Sequence, residues 1–140
     1  MKGILLILCL ALAAFAGRAQ TVATLADSSF AHHDYPKAYQ YYTDALKAEP
    51  NNVTYLRRAG FSLMNCEGQE LNASYLFAAA LKIQPADPVA NYYLGVIYMH
   101  AARAEINKAQ KGYFKALAQT YLSNASNYGS NEAKAAIKDL

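Results

Sequence analysis

Residues 38–46 read AYQYYTDAL, residues 73–81 read ASYLFAAAL and residues 109–117 read AQKGYFKAL. Aligned, they share a small residue, a ring four positions on, a second small residue and then a leucine. These are Ala38, Tyr42, Ala45 and Leu46; Ala73, Phe77, Ala80 and Leu81; and Ala109, Tyr113, Ala116 and Leu117, in copies 35 and 36 residues apart. Offsets of 0, 4, 7 and 8 fall on one face of an α-helix. Alanines on that face let another backbone approach closely, and the ring fills the space beside them. The pattern therefore describes a helix wedged between neighbours rather than a free surface helix.

A second periodic segment precedes each copy: Val22, Leu25, Ala26, Ser29; Leu56, Ala59, Gly60, Leu63; Asn91, Leu94, Gly95, Tyr98. Glycine inside a helix lowers propensity but permits a close crossing. Pro50 and Pro85 each follow the second helix of their unit, Asp87-Pro88 offers an N-cap with proline at the first helical position, and Asp34-Tyr35-Pro36 does similarly. Composition agrees with an all-α chain of one domain. With 54% apolar and 16% charged residues it is too apolar for disorder, and 7 glycines and 4 prolines are few for a β-sandwich.

At these residues the chain resembles the tetratricopeptide repeat family, whose helix-turn-helix unit of about 34 residues carries W-x2-L-G-x2-Y, then A-x3-F, then P. Leu94-Gly95-x2-Tyr98 matches the first part; Ala38-x3-Tyr42 with Pro50 and Ala73-x3-Phe77 with Pro85 match the second. Val22, Leu56 and Asn91 stand at the tryptophan position, and Tyr121 replaces the third proline. The resemblance implies a right-handed α-solenoid of three units, at about 20–51, 52–86 and 87–123, followed by a linker and capping helix over 124–140. In that tail Ala133, Ala136, Ile137 and Leu140 form a stripe behind Ser130, either docked as a lid or frayed.

The resemblance also implies a concave groove lined by Asp27, Arg57, Phe61, Met64, Asn65, Tyr92, Val96, Met99 and His100, with Arg57 as a polar clamp for a bound protein segment. The family variant that grips a C-terminal carboxylate has Lys and Asn where this chain has Ala23 and Asp27, so that clamp is not expected.

Residues 1–19 are set apart from the fold. Lys2, the apolar run Ile4 to Ala16 and Gly17-Arg18-Ala19 read as a secretory signal cut before Gln20, the alternative being an uncleaved anchor. Removing Lys2 and Arg18 leaves 11 basic against 10 acidic residues. Such a balance offers no electrostatic footprint for nucleic acid or a particular lipid. Cys9 leaves with the signal, so Cys66 has no internal disulfide partner; it is either a small, partly buried residue or an intermolecular bridge.

Chemical motifs are absent. His32 and His33 are adjacent and diverge by about 100° on a helix, His100 is isolated, and no phosphate loop or nucleophile elbow occurs. Neither metal nor cofactor is expected, nor catalysis by Cys66 with His100. Twelve tyrosines suit either a recognition surface or half-exposed helix faces. The expectation is a non-catalytic scaffold of the bacterial envelope that binds a protein or peptide. The alternative is a self-assembling, homo-oligomeric structural component.

Overall fold

A computed structural model of the chain describes residues 21–140, which form seven α-helices and no strand; the expected signal segment lies outside them. Helix α1 occupies 21–31 of the described chain. It is followed by α2 (Tyr35–Ala48), α3 (Val53–Met64), a 3₁₀ turn (Leu71–Ala73), α4 (Ser74–Ile83), α5 (Pro88–Ala104), α6 (Lys108–Asn127), α7 (Asn131–Ala136) and a final 3₁₀ turn (Ile137–Asp139). None of these helices is long and apolar enough to cross a membrane.

Side chains start most of the helices. Asp34, Asn52, Asp87, Asn107 and Ser130 accept from backbone N–H groups in the first turns of α2, α3, α5, α6 and α7, which would otherwise lack partners. Helix α4 has no such cap and is entered through the 3₁₀ turn. Two helix ends share one device. At α6 the Ser130 N–H reaches Ala125 O and Gly129 adopts φ +101°; at α1 the Asp34 N–H reaches Ser29 O and His33 adopts φ +59°. Glycine takes that left-handed conformation freely, whereas histidine is strained there by about 1–2 kcal/mol.

Consecutive helices from α2 to α7 pack on one another, and α3 also touches α5. Their core follows the small-and-ring pattern. Ala26, Ala38, Tyr42, Ala59, Ala73, Phe77, Leu94 and Ile97 are buried in one cluster. A Cβ on Gly60 would stand 2.9 Å from the Phe77 ring, so the glycine is what lets α3 and α4 meet at this distance. Each large core side chain contributes about 1.5–3 kcal/mol by leaving water.

The third copy of the pattern departs from this scheme. Ala109 and Ala116 are exposed, and Tyr113 is 62% exposed. The buried face of α6 consists of Ala118, Leu122 and Ala125, which repeat the 0, 4, 7 offsets nine residues later. A Cβ on Gly95 would come within 2.5 Å of the Leu122 side chain, so Leu122 takes the place held by Phe77 in the preceding pair.

The cause is helix length. Helix α5 runs 17 residues, against 12 for α3, so α6 starts farther out and descends more turns before it comes level with Gly95. Nine residues are two and a half turns, which puts the 109–116 stripe on the opposite side of the helix. Tyr113→Ala should accordingly change stability by less than about 0.5 kcal/mol, whereas Phe77→Ala should cost about 3–5 kcal/mol, as urea unfolding followed by circular dichroism will show.

Helix α6 also continues to Asn127, through the boundary expected at 123 and into the stretch read as a linker. Asn124 and Ser126 are poor helix formers, but burial of Ala125 between them outweighs propensity. The tail beyond is docked. Ala133 is buried with Leu122 and Ala125, Ala136, Ile137 and Leu140 pack around them, and Arg103 Nη2 donates to Asp139 O at 3.2 Å.

Candidate docking groove

An open cleft of about 530 Å³ lies where α1, α3 and α5 present their flanks side by side. Phe30 comes from α1, Thr54, Arg57, Arg58 and Phe61 from α3, and Val89 and Tyr93 from α5; His33 and Tyr35 reach it from the α1–α2 corner. Phe61 is the centre. Its ring lies 5.5 Å from Phe30, 5.7 Å from Tyr35 and 5.3 Å from Tyr93, the last two edge-on as aromatic quadrupoles favour. Tyr93 stacks in turn on buried Phe77, which anchors the cleft to the core.

The two arginines are held differently. Arg57 Nη1 donates to Asp87 Oδ2 at 2.8 Å, while the other oxygen of Asp87, a residue only 1% exposed, accepts from Ala90 N at 2.7 Å. Arg57 is thus bound to the N-cap of α5 and is not a free clamp. Arg58 Nη1 donates to Asp27 Oδ1 and to the Tyr42 hydroxyl, which itself donates to Asp27 at 2.6 Å.

Burial, with that bond to Asp27, pushes the Tyr42 hydroxyl well above the usual tyrosine range, and burial raises Tyr93 and Tyr98 also. Each is a group whose folded pKa exceeds its unfolded one. Their stabilisation is complete below about pH 10 and is lost as pH rises further. Urea unfolding at pH 9, 10 and 11 should show a falling midpoint, with a shallower fall in Tyr42→Phe.

The nine expected groove residues are scattered over several surfaces. Arg57 and Phe61 line the cleft, and Asp27 flanks it as the partner of Arg58. Tyr92 turns toward α7 and lines an adjoining hollow of about 330 Å³, which shares Val89 and Tyr93 with the cleft and is closed by Pro88, Gly129 and Glu132. Val96 and Met99 are buried and so face no open groove. Met64 packs against the main core, and Asn65 closes the end of α3, donating from Nδ2 to Phe61 O at 2.8 Å. His100 Nδ1 lies 2.6 Å from Glu70 Oε1, beside a third hollow bordered by Leu71, Ile97 and Phe114.

Phe30, His33, Tyr35, Arg58 and Tyr93 were not expected. The rings run obliquely, from the last turn of α1 through the third turn of α3 to the second turn of α5. Mapping one helix position onto all three units therefore follows the wrong line. Phe30, Phe61 and Tyr93 recur at spacings of 31 and 32 residues, the one signal in the sequence that follows the diagonal.

Among the described residues no buried side-chain nitrogen or oxygen is left without a hydrogen bond. Cys66 Sγ donates to Ser62 O at 3.3 Å and burial pushes its thiol up, away from the thiolate that nucleophilic chemistry needs. Among the described residues no group of three or more His, Cys, Asp or Glu is placed to hold a metal ion.

No family model and no curated protein matches the chain. Among solved structures it is similar to the crystal structure of a Bacteroides ovatus protein described as a candidate protein-binding protein, with a TM-score of 0.67 and 23% identity over 86% of this chain and 70% of that one. The likeness is one of all-α fold.

Proposed function

We propose that the chain is a right-handed α-solenoid of the tetratricopeptide type, three helix pairs closed by a capping helix, which serves as a non-catalytic protein-binding scaffold in the bacterial envelope. The observation that carries this reading is the solvent-open cleft, where Phe30, Tyr35, Phe61 and Tyr93 cluster and Arg57 and Arg58 share the lining. Rings and arginine are the side chains that dominate the energetics of protein interfaces, and an apolar floor with a polar rim suits a docked segment. The description of the Bacteroides ovatus protein supports the same class of role. Export rests on residues 1–19.

A photocrosslinking residue placed at Phe61 in the native cell should trap a discrete partner, and the same residue at Tyr113 should not. Trapping from Tyr113 alone would remove the cleft from the interface. A second reading, self-assembly, is favoured by the exposed Ala109, Tyr113 and Ala116, which duplicate a pattern buried elsewhere in the chain. It requires a concentration-dependent dimer in sedimentation that Tyr113→Arg abolishes.

A further inference from the structure

We infer that the cleft takes a partner segment in which a carboxylate side chain adjoins a bulky apolar residue, and that Arg58 is the group that reads the carboxylate. This rests on the docking reading above and names the chemistry of the partner. None of the nine residues lining the cleft is acidic, while His33, Arg57 and Arg58 are basic. Asp27 and Asp87 pair with the two arginines from just outside that lining, so what a partner meets is a floor of rings edged by guanidinium and imidazole nitrogens, the complement of an apolar anchor beside a hydrogen-bond-accepting anion.

The two arginines are not equivalent in this role. Arg57 is tied to a carboxylate buried beneath the surface, and separating that pair would leave Asp87 without a counter-charge in the interior. Arg58 is paired with Asp27 at the surface, their side chains 41% and 52% exposed. Exposed pairs contribute little, so Arg58 can share its charge with a partner carboxylate at small cost while Asp27 keeps its bond from the Tyr42 hydroxyl.

Arg58 is also held in place before any partner arrives. Its guanidinium stands 5.8 Å above the centre of the Phe30 ring, and Nη1 alone bonds to Asp27 and Tyr42. Among the described residues Nε and Nη2 have no hydrogen-bond partner. That edge has the fork geometry that matches a carboxylate with two parallel bonds. His33 is a further sign that the rim is built for use: it keeps a strained left-handed backbone where glycine would relax, and its ring stacks on Tyr35 at 5.7 Å.

The test uses three short peptide amides, one with aspartate next to phenylalanine, one with asparagine in its place and one with lysine, titrated into the isotopically labelled mature chain. The aspartate peptide should shift the amide signals of Phe61, Tyr93 and Tyr35 and bind at least ten-fold more tightly than the asparagine peptide, with the lysine peptide weakest. In Arg58→Gln the aspartate and asparagine peptides should bind equally. Arg58→Lys, which keeps the charge beside Asp27, guards against loss of folding and should retain only part of the preference. Asp27→Asn, which removes the internal competitor, should strengthen the aspartate peptide two-fold or more.

Equal binding of all three peptides in the cleft would overturn the carboxylate preference and leave docking standing. No cleft shift with any peptide would overturn the preference too, and crosslinking from Phe61 then decides docking separately.

Discussion

Leu122→Ala should lower the stability of the chain by about 3–4 kcal/mol, a large share of the 5–15 kcal/mol that holds a domain of this size together. Leu122 is fully buried, and its side chain fills the space opposite Gly95. Gly95→Ala should cost about 2–3 kcal/mol from the other side of the same contact. The added Cβ would meet Leu122 Cγ at 2.5 Å, Cδ2 at 2.7 Å and the Leu122 backbone nitrogen at 3.1 Å, and a backbone atom cannot step aside. That overpacking outweighs the gain of about 1 kcal/mol from replacing glycine in a helix.

The two changes should not add. With Leu122 shortened the new methyl loses its closest obstacle, so the double variant should be more stable than the sum predicts by about 1 kcal/mol or more. Gly112→Ala is the control. No atom lies within 4 Å of a Cβ there, and only the propensity gain of about 0.5–1 kcal/mol remains. Urea midpoints of the four proteins test whether α5 and α6 meet at Leu122 or at Tyr113.

Asp87→Ala should have an effect of similar size, about 3–5 kcal/mol. One carboxylate caps α5 through Ala90 N and neutralises Arg57, so a single truncation removes the helix cap and leaves the guanidinium without its buried partner. Asp87→Asn keeps the cap and loses the charge, and should cost about half as much. The functional consequence separates the arginines. Arg57→Ala should lower the unfolding midpoint by loosening the tie between α3 and the start of α5. Its effect on partner affinity, measured well below that midpoint, should be smaller than that of Arg58→Gln.

Much of the architecture can be read from residues that punctuate the chain. Asp34, Asp87 and Ser130 mark where helices begin, and the prolines at 50 and 85 mark where two of them have ended. The first two copies of the small-and-ring pattern are buried because short helices bring them level with their partners. The third is the same pattern on a longer hairpin. Local spacing cannot tell which of two opposite faces of α6 is covered, since that depends on how far α5 extends past Gly95. Ala118-x3-Leu122-x2-Ala125 carries the right offsets, but with a leucine in place of the ring that marks the other two copies.

The site was readable only in part for a related reason. Phe61 and Arg57 follow from the position of Gly60, but the groove runs across the helices rather than along one repeated position. Its upper rim comes from a turn in which His33 occupies a conformation that favours glycine. The internal engagement of Arg57 depends on Asp87, thirty residues away, and on the packing that buries it.

The most direct test of the docking cleft is the affinity of the crosslinked native partner for three versions of the chain: the natural one, Tyr35→Ser with Tyr93→Ser, and Tyr75→Ser with Tyr113→Ser. All three should first be matched for helical circular dichroism at the working temperature. Docking in the cleft requires that the cleft variant bind at least ten-fold more weakly and that the variant on exposed tyrosines outside the cleft bind as the natural chain does. Undiminished binding by the cleft variant, with loss in the other, would contradict it.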